Sequence, residues 1–397
     1  MFGIRKKLPK GALSAVTLLI CLLLSIGLLI NQSSIANNNY SGRGMELQQY
    51  LSKSRKVRSG SQKIHPQLTY NETLHLYTFH GKPIIWTYWD YHPMPPHIRL
   101  SLQTVKCHNY PHIHLHTANE KFFKTEFKPP EAFNYLIPAH KADYFRGTVL
   151  LKYGGMWMDA DTIQWNSMLP IFNLLKDYDI FGYTWTDEVM GISIFGPVRA
   201  NHLLLQKWKQ KVDRILEEKL VALREWRQRK DAEKTRNGNR NSEKSQEELY
   251  SLLFGDAEYP IEWAELLRDT IQPIAQQMLN DSQMKYYQID GVEAYGGLQT
   301  SILDQNLWHP WQASFQPELD RLPSQAPLFI YHNTLVPPDI VQQRSMRALV
   351  RRRLVFTELI RHSLDRCLQR QHQRLQQMRQ NHSTQFVDSE LIRIPIL

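Results

Sequence analysis

Residues 137–165, IPAHKADYFRGTVLLKYGGMWMDADTIQW, decide how the rest of the chain is read. Ala142, Phe145, Val149, Leu150 and Tyr153 recur at helical spacing and mark one apolar helix face. Gly154-Gly155 ends that helix, because glycine accepts the left-handed backbone a C-cap needs. Met156-Trp157-Met158 then reads as a short buried strand. It delivers Asp159-Ala160-Asp161 to its C-terminal end, where open α/β sheets bind ligands. Two carboxylates one residue apart make a hard oxygen site for Mg2+ or Mn2+ with room left for phosphates. Asp143 and Arg146 stand at i,i+3 and share a helix face. A surface ion pair followed by an acidic turn is the plainer reading of the same residues. The ordered set of A-D-Y-F-R, K-Y-G-G, an apolar strand and D-A-D is more specific than any one of its parts.

That ordered set resembles the DXD-bearing sugar-binding region of a glycosyltransferase family. The family includes fungal α-mannosyltransferases, capsular polysaccharide synthesis proteins and, more distantly, clostridial glucosylating toxins. The opening at 82–116 strengthens the resemblance. K-P-I-I-W-T-Y-W-D, a Pro-containing loop, a helix and N-Y-P-x-I-x-L-H match the family's first two strands. The resemblance implies an α/β, GT-A-type nucleotide-sugar-binding fold and transfer of a hexose from a UDP- or GDP-sugar to a glycan, glycolipid or polysaccharide. It further implies retention of anomeric configuration. Trp89 aligns with the tryptophan that stacks on the nucleotide base, and an aromatic face suits that task. Burial in the core is the competing reading for Trp89 and the preferred one for Trp86. Asp143 and Asp159 are implied to bind donor hydroxyls, and Arg146 sugar or phosphate. Asp161, with Asp159, is implied to hold Mn2+ or Mg2+, which neutralises the leaving diphosphate. His332, at the end of the last apolar strand (328–333), stands where relatives place a histidine near metal and diphosphate. A plain strand-capping role fits it equally well.

The chain has 397 residues, 42% hydrophobic and 22% charged, which are ordinary globular values. Residues 12–30, ALSAVTLLICLLLSIGLLI, carry no charge and are long enough to span a bilayer. No small-x-small cleavage site follows, so the stretch reads as a signal anchor. Arg5, Lys6, Lys7 and Lys10 precede it, which predicts a cytosolic N-terminus (1–11) and a type II topology. A Golgi-type lumen suits nucleotide-sugar chemistry; a bacterial inner membrane is the alternative. Asn31, Asn39, Asn71, Asn280 and Asn381 begin N-x-Ser/Thr sequons. Of three cysteines, Cys21 lies in the span, and nothing in the spacing of Cys107 and Cys367 requires them to pair.

Along the chain, residues 31–80 read as a polar stem and 81–340 as the catalytic domain. Within it, residues 83–89 and 113–116 read as strands with a helix over 96–106 between them. Residues 179–183 and 191–196 are two further strands; the resemblance places the second near the acceptor. A long polar helix is expected over 199–232, an exposed charged insertion over 227–244, and an amphipathic helix over 263–278. No aromatics interleave the charged run, so no nucleic-acid role is expected. The tail, 341–397, reads as a basic amphipathic helix over about 342–380. Met346, Leu349, Val350, Phe356, Ile360 and Leu364 form its stripe, and the tail supplies most of the net charge of +10. Packing on the domain is the preferred reading of that helix; binding an anionic lipid or glycan is the other.

Two rival classes compete. Dehalogenase-like phosphatases also start from a strand and D-x-D, but Ile163 occupies the position where they need Thr or Val. Their later G-D-x-x-x-D is missing too, since Pro260 follows Gly255-Asp256. A non-catalytic, membrane-anchored carbohydrate-binding protein is the second, and the ten tryptophans and eighteen tyrosines would serve it. Every position expected for metal and donor is nonetheless filled, which favours the enzyme.

Overall fold

Isoleucine and tryptophan in the run IIWTY make β3 (Ile84–Tyr88) a strand with all five residues buried. Ile84, Trp86 and Tyr88 face one core, while Ile85 faces a second core with Val105, Met156 and Met158. Burial on both faces is what a near-continuous apolar run in a covered sheet produces. The computed structural model of the chain describes residues 68–184, 190–236, 258–290, 311, 328–330, 336–343 and 345–381. All of them belong to one compact unit, Gln62–Arg393.

The fold is mixed α/β around a six-stranded sheet. It begins with a hairpin, β1 (Leu68–Asn71) and β2 (Leu76–Phe79). After β3 come α1 (Pro96–Asn109), β4 (His114–Ala118), α2 (Glu120–Phe127), α3 (Pro138–Tyr153) and β5 (Gly155–Met158). Then follow β6 (Thr162–Gln164), α4 (Leu169–Asn173), β7 (Ile180–Thr184), β8 (Ile194–Val198), α5 (Leu203–Arg236), α6 (Arg268–Asn280) and β9 (Tyr286–Asp290). The last elements are β10 (Leu328–Ile330), α7 (Pro338–Val341), α8 (Met346–Val350) and α9 (Val355–Asn381). The central sheet runs in the order β4-β3-β5-β8-β7-β9. Its β4-β3-β5 half is parallel, β8 is antiparallel to both β5 and β7, and β9 is parallel to β7.

The expected helix-glycine-strand unit is present. Pro138 opens α3, where its missing N–H costs nothing. Gly154 closes it with φ 68°, and Gly155 follows at φ 98°. A Cβ on Gly155 would stand 2.6 Å from the Ile84 carbonyl oxygen, so glycine is what lets β5 lie beside β3. Trp86 Nε1 donates to Gly154 O at 3.0 Å and the ring stacks on Tyr153, which makes Trp86 a core residue as preferred above. The helix is buried on more than the single expected face. Tyr144, Gly147 and Thr148 are covered as well, because α5 packs on the far side with Trp208 against Gly147.

Other expectations shift. Residues 68–79, assigned to the stem, form the β1–β2 hairpin, whose turn is held by Asn71 Oδ1 accepting from Thr73 and Leu74. Of the charged insertion expected over 227–244, residues 227–236 are helix, the end of α5, and 237–244 lie outside the described residues. The helix expected from Trp263 starts at Arg268, after turns at 263–267. Among the described residues the single tail helix is two, α8 and α9, with a break at Arg353 (φ 50°) and Leu354 N donating to Thr357 Oγ1. Leu349, Phe356 and Ile360 are fully buried, as the packing reading of the tail requires. Cys107 of α1 and Cys367 of α9 form a disulfide. Beside it His108 Nε2 meets Ser363, and Arg370 donates to Asn166 Oδ1 at 2.8 Å. The predicted anchor at 12–30 and the stem to residue 67 lie outside the described residues. Among the described residues, no helix is long and apolar enough to cross a membrane.

Candidate functional site

Residue parity along β5 sets the site. Trp157 and Asp159 are two apart, so both project to the same face, toward the helix that carries Asp143 and Arg146. The backbone N–H of Asp159 donates to Ser193 O at 2.9 Å, which pins the end of β5 against the entry to β8.

Arg146 lies at the centre, 4% exposed. Its Nη2 donates to Asp159 Oδ1 at 2.9 Å and stands 3.4 Å from Asp143 Oδ1, while Nη1 donates to Ile192 O. The guanidinium rests over the Trp157 ring, 4.9 Å from its centroid. Trp157 Nε1 donates to the same Asp159 oxygen at 2.6 Å. One cation thus binds two carboxylates that the sequence separates by a helix and a strand, and an indole fixes the second carboxylate from below. Burial pushes the Asp143 carboxyl up to about 7, with the charge of Asp159 adding to the rise and Arg146 opposing it.

These groups line a cavity of about 340 Å3 together with Tyr88, Trp89, Asp161, Ser193 and Trp263. Of the sequence-derived site residues, Trp89, Asp143, Arg146, Asp159 and Asp161 therefore come together; His332 lies outside the described residues. Trp89 is half-buried at the end of β3, and its indole N–H is buried with no protein partner among the described residues. The Tyr88 hydroxyl and Arg146 Nε share that condition. Buried donors without partners are costly, and all three belong to residues that line the cavity. Burial and the neighbouring Asp90 hold the Tyr88 hydroxyl protonated and above its ordinary range.

Sequence reasoning missed Trp157, Tyr88 and the Ile192 and Ser193 carbonyls. The i,i+2 spacing from Trp157 to Asp159 was the available signal. The two carbonyls had none, because backbone contacts across strands leave no mark on residue type. We expect Trp157→Phe to keep the ring under Arg146 but free Asp159 Oδ1 from its indole donor. Turnover should fall about tenfold, matching loss of one charge-assisted hydrogen bond. The melting temperature should stay close to that of the parent, and a variant that turned over at the parent rate would remove Trp157 from the site.

As for a metal, Asp159 Oδ1 is already engaged by two donors, and Asp159 and Asp161 both line the cavity. Among the described residues, no cluster of three or more His, Cys, Asp or Glu side chains is arranged to hold an ion. A pair of carboxylates still fits Mg2+ or Mn2+, which bind through one or two carboxylates and fill their remaining positions with phosphate oxygens and water.

Residues 33–180 match the family model described as the glycosyltransferase sugar-binding region containing the DXD motif. Among solved structures, the chain is similar to the glycosyltransferase GlyE of Streptococcus pneumoniae TIGR4. That match has 12% identity and a TM-score of 0.31, over 70% of this chain and 60% of GlyE. The apo form of GlyE matches at 12% identity and a TM-score of 0.29, over 69% and 64%. The PaToxG glycosyltransferase matches at 15% identity and a TM-score of 0.26, over 62% of this chain and 86% of that one. The chain thus spans less than two thirds of the length of GlyE. No curated protein sequence matches it.

Proposed function

We propose that this chain, whose residues 33–180 match the DXD-containing glycosyltransferase sugar-binding region, is a membrane-anchored, metal-dependent hexosyltransferase of the GT-A type. It takes a hexose from a UDP- or GDP-sugar and passes it to a glycan, glycolipid or polysaccharide, with retention. The observation that carries this reading is the convergence of Asp143, Arg146, Asp159 and Asp161 on one cavity with Trp89 at its edge.

The residues divide the work. Trp89 offers a ring face to the nucleobase. Asp143 and Asp159 accept hydrogen bonds from donor-sugar hydroxyls. Arg146 has its two terminal nitrogens on Asp159, Asp143 and Ile192 O, so it chiefly orients those carboxylates. In the reaction the bond from anomeric carbon to diphosphate oxygen breaks, the acceptor oxygen bonds to that carbon, and the hydroxyl proton leaves with the diphosphate. A divalent cation held by Asp161, with Asp159, would supply positive charge against the departing diphosphate. The Cys107–Cys367 disulfide supports a lumenal or extracellular location for the domain, since such bonds persist in oxidising compartments.

The test is hydrolysis of a UDP- and GDP-hexose panel by the purified chain with and without Mn2+, beside Asp161→Ala. Metal-dependent release from one donor, reduced about a hundredfold or more in the variant, is the expected result. No release together with no donor-dependent rise in melting temperature would favour the carbohydrate-binding alternative. Release that survives Asp161→Ala would place the chemistry elsewhere.

A further inference from the structure

Trp263 is the most exposed tryptophan of the apolar side chains around the cavity, at 52%, yet the segment that bears it is closely fastened. Ile261, Leu266 and Leu267 on either side of it are buried. Lys219 Nζ donates to Pro260 O at 2.8 Å, Trp208 Nε1 to Leu266 O at 2.9 Å, and Glu262 N to Glu265 Oε2 at 3.0 Å. Exposure of this indole therefore does not come from a loose loop. A rigid backbone holds a large apolar face at the mouth of the cavity.

The fastening also reaches the catalytic helix. His140, in the first turn of α3, places Nε2 3.1 Å from the Trp263 carbonyl oxygen and Nδ1 3.1 Å from the Tyr259 hydroxyl. A carbonyl only accepts, so Nε2 carries the proton and Nδ1 accepts from Tyr259. The Tyr259 oxygen in turn accepts from Ile137 N–H at 3.3 Å. His140 lies three residues before Asp143 and six before Arg146, so one helix fixes both the donor-sugar carboxylate and the Trp263 segment.

We propose that Trp263 is the stacking platform for the acceptor, a hexopyranoside ring at the end of a glycan, and that it sets acceptor affinity. This rests on the glycosyltransferase reading above, in which Trp89 and the acidic floor hold the donor. An acceptor must approach the anomeric carbon from solvent, through the mouth, and a glycan must leave its remaining sugars outside. A half-exposed indole at that mouth meets both demands, whereas a donor is enclosed at the floor. The apolar C–H face of a pyranose lies flat on an indole, and a pre-fixed ring gives up little freedom on binding.

The test uses the full chain, a panel of p-nitrophenyl α- and β-hexosides as acceptors, and the variants Trp263→Ala and Trp263→Phe. KM for the accepted hexoside should rise about tenfold in Trp263→Ala and about threefold in Trp263→Phe, while KM for the donor moves by less than about twofold. Saturation-transfer NMR of the same hexosides on the parent and Trp263→Ala, without donor, should lose the ring-proton signals in the variant. Loss of hexoside binding in a chain that never hydrolyses a donor would retain the platform and reject the transferase. Unchanged hexoside KM and NMR signals would overturn the platform itself, and so would a parent that neither binds nor uses any hexoside. A rise in donor KM alone would also overturn it, by making Trp263 part of the nucleotide site.

Discussion

Replacing Arg146 with alanine will destabilise the domain by about 3–5 kcal/mol and lower donor turnover by about a hundred- to a thousandfold. The side chain is 4% exposed, and it bridges two partly exposed carboxylates, Asp143 at 15% and Asp159 at 27%. Removing the cation leaves Asp143 and Asp159 facing each other with no counter-charge except whatever metal is bound. It also leaves Ile192 O without its donor and the Trp157 ring without its cation. The large loss of stability measures an uncompensated buried charge, not the worth of one ion pair. Arg146→Ala/Asp143→Asn should therefore recover much of the melting temperature while activity stays low, because nothing then holds Asp159 in place and position 143 has lost its charge. Arg146→Lys should behave as an intermediate: an ammonium can meet one carboxylate but cannot span two with a planar fork. Thermal melts and donor hydrolysis of the three variants decide the matter. If Arg146→Ala melted with the parent, the cage would be far wetter than its geometry implies.

Much of this cage was legible in the sequence because its parts obey local rules. Helical spacing joined Asp143 to Arg146, paired glycines ended the helix, and three apolar residues carried Asp159 to a strand end. The β3 strand was equally plain, since IIWTY has few other ways to be buried. What stayed hidden was non-local. The hairpin at 68–79 is held by pairing and an Asx turn in a polar stretch that composition assigns to a stem. Strand β6 has only three residues and no usable pattern, and although apolar character marks its partner β10 within 328–333, the two lie more than 160 residues apart, so their pairing left no trace in the sequence. The tail helix broke at Arg353 because a positive φ and the Thr357 cap outweigh a continuous stripe. The disulfide could not be chosen by spacing, since α1 and α9 meet only in the folded chain. Trp263 illustrates the same limit. Helical periodicity gave it a place at the start of an amphipathic helix, whereas the bond from His140, 123 residues earlier, is what fixes its segment.

Those same buried contacts make the domain sensitive to mild acid, and we expect it to lose about 4 kcal/mol of stability between pH 7.5 and 5. His108 is held down to about 3, mainly by burial and then by the charge of Arg370. His140 is held down to about 4 by burial, against the opposing bond to the Trp263 carbonyl. Burial likewise keeps His114, His116 and His202 near 4. An unfolded imidazole takes its proton near 6.5. Between that value and about 4 the unfolded chain binds more protons than the native one, so stability is full above pH 6.5 and falls as pH drops. Asp143 works the other way. Its carboxyl, raised to about 7 from an unfolded value of 3.8, favours the native state as pH falls through that range and offsets about one histidine. Two fully buried histidines less one carboxyl, with three half-buried histidines discounted, leave roughly two protons, each worth about 1.4 kcal/mol per pH unit. Against a total of about 5–15 kcal/mol, that brings the unfolding midpoint within reach of pH 5. Urea unfolding at pH 7.5, 6 and 5 measures the slope, and His108→Gln isolates one contributor. Glutamine can still donate to Ser363 O but takes up no proton, so the variant's slope should be shallower by about one proton. A parent whose stability is flat from pH 7.5 to 5 would mean that water reaches these imidazoles in the native state. The packing of α9 on α1 and of the Trp263 segment on α3 would then be looser than the hydrogen bonds described here require.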